Sequence, residues 1–230
     1  MTELKLTWKK FSRDKLAFTG SLIILSLVFT AVLSGVLAPY PEDVYSIHPG
    51  ERLQPPSSKH FFGTDNMGRD IFSRLLFGAR ITLIISIIAV GASMLIGVPL
   101  GLLAGYYENW LSETIMRVAD VFLSIPQIIL AIFLAQSLGP SIHSVILALS
   151  VTYWPWFTRI VFAETRALKK TSFIEATEAL GAGRLRTILL HVLPNVSSPI
   201  IVRSSIGMGF TILTAAALGF LGAGAQPPTP

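Results

Sequence analysis

From Val121 to Thr158 the chain runs 38 residues without an Asp, Glu, Lys or Arg. As a single helix this stretch would be about 57 Å long, nearly twice the roughly 30 Å hydrocarbon core of a bilayer. It therefore has to fold back on itself. The turn is legible at Ser137-Leu138-Gly139-Pro140-Ser141, where glycine can close one helix and proline can precede the next. The pattern predicts spans near Arg117–Ser137 and Ser141–Val161, joined as a tight hairpin.

Two earlier runs are also long enough to cross. Ala17–Ala38 is 22 uncharged residues and Ile81–Tyr107 is 27. A fifth span is expected from about Val196 to Leu221, with Pro199 and Arg203 interrupting its start. Five spans describe an all-α polytopic membrane protein. A composition of 52% hydrophobic and 13% charged residues leaves more apolar surface than a soluble domain covers. The basic start, Lys5 to Lys15, followed by an apolar run resembles a secretion signal, but signal cores are about 7–15 residues, so the run reads as a retained anchor. The organisation is then a tail over residues 1–16, an anchor over 17–38, an external segment over 39–80 and a core over 81–230 that carries a loop at 164–195. With the N-terminus inside, cytoplasmic segments hold eleven Lys and Arg against five outside, which favours that orientation. Pro39, Pro41, Pro49, Pro55 and Pro56 predict an extended, irregular external crossing rather than a domain.

Several chemistries are set aside. The chain has no cysteine, and its formal charge of +5 is scattered between apolar runs, so neither a thiolate site nor a nucleic-acid stripe is expected. It has no phosphate loop, hence no ATPase of its own. No two histidines have metal-ligand spacing, and His48 and His60 sit singly. Ser141 and His143 are two apart and point to different helix faces, against a nucleophile–base pair. Asn195-Val196-Ser197 matches a glycosylation pattern but falls on the cytoplasmic side. Asp120 is expected to pair with Arg117, three residues earlier on the same face. Trp154 and Trp156 are expected to pack in the core, with substrate contact as the competing reading. Arg203 has two readings. Inside a span starting at Val196 it must face a wet pathway or a partner subunit, and before a span starting at Ser204 it is a snorkelling anchor.

The loop carries the sharpest local signal, Glu175-Ala176-Thr177-Glu178-Ala179-Leu180-Gly181, with Leu193-Pro194 beyond it. Ser172 and Glu175 have capping-box spacing and Gly181 is a plausible stop, giving a helix of about eight residues. So short a helix is marginal alone in water. Phe173, Ile174 and Leu180 are expected to be exposed, and Ala176 and Ala179 permit close approach. Either the helix docks into a partner groove or it lies on the lipid surface.

This Glu-Ala-Thr-x-x-x-Gly…Leu-Pro arrangement resembles the loop motif, often written EAA, of permease subunits of binding-protein-dependent ABC importers. Thr177 stands where that motif usually has Ala, and His191 where Ile usually precedes Leu-Pro by two. A second stretch, Phe62-Gly63-Thr64-Asp65-Asn66-Met67-Gly68-Arg69-Asp70-Ile71-Phe72-Ser73-Arg74-Leu75 with Gly78-Ala79-Arg80, looks like the signature of the second permease, the "C" type, of dipeptide, oligopeptide and nickel importers. Arg13-Asp14-Lys15-Leu16-Ala17, Phe220-Leu221-Gly222 and Gln226-Pro227-Pro228-Thr229-Pro230 are similar to the same subfamily. Read from residue chemistry alone, Gly63–Arg80 fits either a folded cap or a solvated loop.

The resemblance implies a type I ABC importer transmembrane domain. It also implies a sixth span after Pro230 that this chain lacks, hence C-terminal truncation. It further implies a prokaryotic inner-membrane location, separate cytoplasmic ATP-binding subunits that hold the ATP, a homologous second permease, an external substrate-binding protein and contact with membrane lipid. Ser172, Phe173, Glu175, Ala176, Gly181 and Pro194 become the expected ATPase-coupling residues, and Arg203 a candidate for the translocation path. The competing class is a self-contained channel or secondary transporter using Arg203 and Asp120.

Overall fold

The computed structural model describes residue 8 and residues 10–224. The expectations for the first tail residues and for Gln226–Pro230 lie outside that range. The chain divides into two compact units, one up to Ile84 and the other from Ile85. Among the described residues the elements are helical. Four helices are long and apolar enough to cross a membrane, or five when one bent pair counts as a single span.

In the first unit, α1 (Lys15–Val32) starts at Asp14, whose carboxylate accepts from the Leu16 and Ala17 amides. The predicted anchor to Ala38 is not one straight helix. It breaks at Leu33 and resumes as a single turn, Ser34–Leu37. Residues 39–70 have only two short 3-10 turns, Glu42–Val44 and Pro49–Glu51, but they do not run extended as expected from the prolines: they fold on themselves and bury Val44, His60 and Asp70. Gly63 and Gly68 hold positive φ of 74° and 82°, and a Cβ on either would lie 2.3 Å from the Gln54 carbonyl oxygen or 1.9 Å from that of His48.

The second long helix, α2 (Ile71–Tyr106), starts ten residues before the predicted Ile81. Its cap is Asp70, which accepts from the Ser73 amide at 2.7 Å. Arg74 and Arg80 obscure this start in a hydropathy reading, because the first turns of the helix precede the apolar run.

In the second unit, α3 (Trp110–Ser124) and α4 (Gln127–Leu138) meet at an 87° bend. The predicted single span Arg117–Ser137 is therefore broken. Ile125 precedes Pro126, and a residue before proline is pushed out of the α region; Ile125 is extended, with φ −91° and ψ 128°. The hairpin turn itself falls where expected. Gly139 closes α4 with φ 84°, and Ser141 caps α5 (Ile142–Lys169) by accepting from the Ser144 amide. After the loop, α7 (Ser197–Phe220) is the last helix among the described residues.

The core of this unit joins α2 to α5. Gly97, Gly101 and Gly105 form a small-residue stripe at four-residue spacing, and a Cβ on each would come within 2.5–2.7 Å of Trp154, Val161 or Thr165. That close approach lets Ser93 donate to the Ser150 carbonyl at 3.0 Å and Thr158 to that of Gly97 at 3.2 Å. Asp120 is ion-paired with Arg159 of α5 rather than with Arg117. A cross-helix partner ties α3 to α5, which a pair on one helix face cannot do.

Candidate functional site

The loop between α5 and α7 holds α6 (Ser172–Ala179), the eight-residue helix expected from the sequence. Its start differs from the capping box. Thr171, not Ser172, is the N-cap, and its hydroxyl donates back to the Leu168 carbonyl at 2.7 Å, so neither Ser172 nor Glu175 caps by side chain. Backbone continuity with α5 orders the first turn instead, through Glu175 N–H to the Thr171 carbonyl. At the other end Gly181, with φ 85°, donates to Glu178, and Ala182 donates to Thr177. This is a Schellman stop, which leaves few carbonyls of the last turn unpaired.

The expected exposure of the apolar side chains is corrected at one position. Phe173 is half exposed and Leu180 is 89% exposed, whereas Ile174 is completely buried. Ile174 joins the core cluster with Leu102 and Tyr106 of α2, Val161 of α5 and Ile188 and Val192 beyond α6. Burying such a side chain contributes about 1.5–3 kcal/mol, enough to seat a helix too short to persist alone. Tyr106 adds a directed tie by donating to Glu178 at 2.5 Å. Lys169 lies over the Tyr106 ring and Arg184 over the Tyr107 ring. Together these groups line a cavity of about 410 Å³ beside the helix. One face of α6 is thus fixed to the ends of α2 and α5, and Phe173, Glu175, Ala176 and Leu180 are exposed to solvent.

Both departures from the motif have defined places. The Thr177 hydroxyl donates to the Phe173 carbonyl at 2.8 Å. His191 meets the Phe173 ring edge-on at 5.7 Å between centroids. It sits in a π-helical turn, Ile188–Val192, just before Leu193-Pro194, and the Leu193 amide reaches back to the Ile188 carbonyl. A proline in an α-helix clashes with the carbonyl four residues earlier, and the wider turn relieves that clash at Leu190. Pro194 is exposed.

Arg203 lies six residues into α7, about 9 Å from the start of that helix. Its guanidinium is 4.6 Å from the Trp156 ring centroid and 5.3 Å from that of Tyr153. Trp154 packs as expected, buried against Phe122, but Trp156 is 40% exposed and serves as a platform for the arginine.

The first unit carries a separate polar cluster. His60, read from the sequence as solitary, is fully buried and bonded to Asp70 at 2.9 Å. Asp65 accepts from the Met67 and Arg69 amides and pairs with the Arg69 and Arg74 side chains. Burial by itself would raise the Asp65 carboxyl, but these amides and the Arg69 guanidinium outweigh it and hold the group below the ordinary aspartate value. No cluster of metal-ligating groups occurs among the described residues.

The stripe Gly97, Gly101, Gly105, the cap at Asp70 and the tie Tyr106–Glu178 are absent from the sequence reading. A small-xxx-small repeat within an apolar run is the signal that marks the first; the third pairs residues 72 apart and leaves no local trace.

Comparison with known proteins extends these findings. Residues 97–230 match the family described as the inner membrane component of binding-protein-dependent transport systems. Residues 2–56 match the N-terminal transmembrane domain of oligopeptide transport permease C. The chain is 42% identical over 223 residues to the dipeptide transport system permease protein DppC of Alkalihalophilus pseudofirmus, covering 97% of this chain and 73% of that one. It is equally identical over 224 residues to the glutathione transport system permease protein GsiD of Pectobacterium atrosepticum, covering 97% and 74%. A chain of the inward-facing MetNI methionine ABC transporter shares the fold, with a TM-score of 0.59 and 24% identity over 66% of this chain and 76% of that one.

Proposed function

Because the chain belongs to the inner membrane components of binding-protein-dependent transport systems, as a dipeptide/oligopeptide-type ABC permease subunit, we propose that it imports peptides and takes its energy through α6 from a separate ATPase. The observation that carries this reading is the two-sidedness of α6. Ile174 and Glu178 fix one side to the permease core, while Ala176 and Leu180 on the other, with the half-exposed Phe173, face solvent. An exposed apolar helix face bound rigidly to two transmembrane helices has the form of a lever. A groove in an ATP-binding subunit is its natural socket.

In this reading the N-terminus, the α2–α3 connection and the α6 loop are cytoplasmic, and the Asp65–Asp70 cap faces outward, in line with the charge distribution. Nucleotide-driven closure of the ATPase displaces α6, and the buried Ile174 passes that displacement to α2 and α5. ATP does this work only if its bound form stabilises one orientation of the permease more than the other, through the α6 contacts. The substrate path runs between this subunit and a second, homologous permease, with Arg203 facing it, and an external binding protein delivers the substrate. Relatives named for dipeptide and glutathione transport support a small peptide as cargo. The chain itself carries out no reaction; Ser172, Phe173, Glu175, Ala176, Gly181 and Pro194 form or flank the docking surface.

The test is uptake by proteoliposomes containing the assembled transporter, ATP and loaded binding protein. Glu175→Lys and Gly181→Val are expected to abolish uptake while leaving the permease in the membrane. Unimpaired ATP-coupled uptake by both variants, or peptide flux through this chain alone without ATP, overturns the reading.

A further inference from the structure

Arg203 is a half-buried cation within an apolar helix, and among the described residues no carboxylate lies within ion-pair distance of it. Its Nε is buried without a hydrogen-bond partner, and so is the hydroxyl of Tyr153, which is 2% exposed. Two polar groups lacking acceptors therefore sit together, and the guanidinium that stacks over Tyr153 also covers Trp156. Stacking fixes the plane of an arginine but leaves its in-plane donors unused, and that planar fork matches the two oxygens of a carboxylate. A charged group held at this depth marks a wet, functional face of the helix, because lipid would not tolerate it unpaired.

We propose that Arg203, braced by Trp156 and Tyr153, binds the carboxylate of the peptide as it passes through the transporter. This rests on the importer reading above and names the chemistry recognised at that path. The aromatic brace serves the same end. It orients the guanidinium without neutralising it, so the carboxylate meets an unpaired charge and leaves again without having to displace a resident anion. A transport site has to bind weakly enough to release.

Because the chain contains no cysteine, the charge at this point can be replaced chemically. The assembled transporter carrying Arg203→Cys is reconstituted with binding protein and treated with methanethiosulfonates that attach an aminoethyl, a sulfonatoethyl or a methyl group; the unsubstituted transporter receives the same reagents. Arg203→Cys is expected to lose peptide uptake by about tenfold or more, as for loss of a charged hydrogen bond. The aminoethyl label restores uptake and the other two do not. Arg203→Lys, which keeps the charge, retains more uptake than Arg203→Cys. The proposal is overturned if Arg203→Cys transports normally, if all three labels restore uptake alike, if the aminoethyl label restores none, or if Arg203→Lys is as inactive as Arg203→Cys. Stabilisation of the protein by anionic lipid with uptake intact in the cysteine variant also overturns it, and assigns the arginine to a headgroup. If the unsubstituted transporter moves no peptide with ATP and binding protein, the importer reading itself has failed, and this site falls with it.

Discussion

The Tyr106 hydroxyl donates to the Glu178 carboxylate at 2.5 Å, joining the last turn of α2 to the exposed helix α6 across 72 residues of sequence. Tyr106 is buried and Glu178 is exposed, so the bond ties a solvent-facing carboxylate to a core residue. Tyr106→Phe keeps the ring beneath Lys169 and removes only the hydroxyl. A net loss of about 0.5–1.5 kcal/mol is expected, the worth of an ordinary hydrogen bond in a partly solvated place. The consequence is slippage: ATP hydrolysed per peptide imported should rise while the complex still assembles. Paired measurement of hydrolysis and uptake checks this, and an unchanged ratio removes the bond from the coupling route.

What the sequence discloses of this region follows from what is local. The length of α6 and its glycine stop are legible because both depend on a few consecutive residues. The burial of Ile174 and the bond to Glu178 are not, because their partners, Val161, Ile188 and Tyr106, lie far along the chain. The same division explains the spans. The Gly139 turn is signalled by its own residues, while Pro126 is overlooked because an apolar run reads as continuous whatever its backbone does. Asp70 starts α2 inside a charged stretch that hydropathy treats as loop. Arg203 is visible as a charge in an apolar run; only the fold shows that Trp156 and Tyr153 support it.

The glycine stripe gives a stability expectation with an internal control. A methyl group at Gly101 would fall 2.7 Å from the Val161 Cβ and 2.8 Å from the Thr158 carbonyl oxygen, whereas at Gly91 it meets nothing within 4 Å. Gly101→Ala should therefore cost about 1–3 kcal/mol through overpacking against a backbone that has nowhere to move. Gly91→Ala on the same helix should be neutral or stabilise by about 0.5–1 kcal/mol. Thermal unfolding in detergent distinguishes the two, and equal effects would mean that α2 and α5 do not approach as closely as described.

The cap around Asp65 should be acid-labile. Its carboxyl is held below the ordinary value of 3.8, so the folded form binds its proton later than the unfolded form does as pH falls. The stabilisation is fully present above the unfolded value and disappears as pH drops through the lowered folded value. The protection factors of residues 54–70, with exchange rates corrected for their intrinsic pH dependence, should accordingly fall below about pH 4. Asp65→Asn should flatten that acid response and loosen the cap at neutral pH by about 1–3 kcal/mol, because Arg69 and Arg74 lose the anion they face. A variant that still shows the acid limb would assign it to another group.

Ile174 and Leu180 separate folding from docking within one short helix. Ile174 is fully buried, so Ile174→Ala removes packing from the permease core and should lower its own stability by about 2–5 kcal/mol, in the presence or absence of any partner. Leu180 is 89% exposed, so Leu180→Asp removes nothing from the isolated subunit, and its melting temperature should hold. A charge forced into an apolar socket is costly, however, and the ATPase should no longer co-purify with the Leu180→Asp permease. Retention of the ATPase by that variant would place the docking surface elsewhere. A fall in melting temperature for isolated Leu180→Asp as large as that of Ile174→Ala would mean that Leu180 packs against the permease, and the two-sided lever would be wrong.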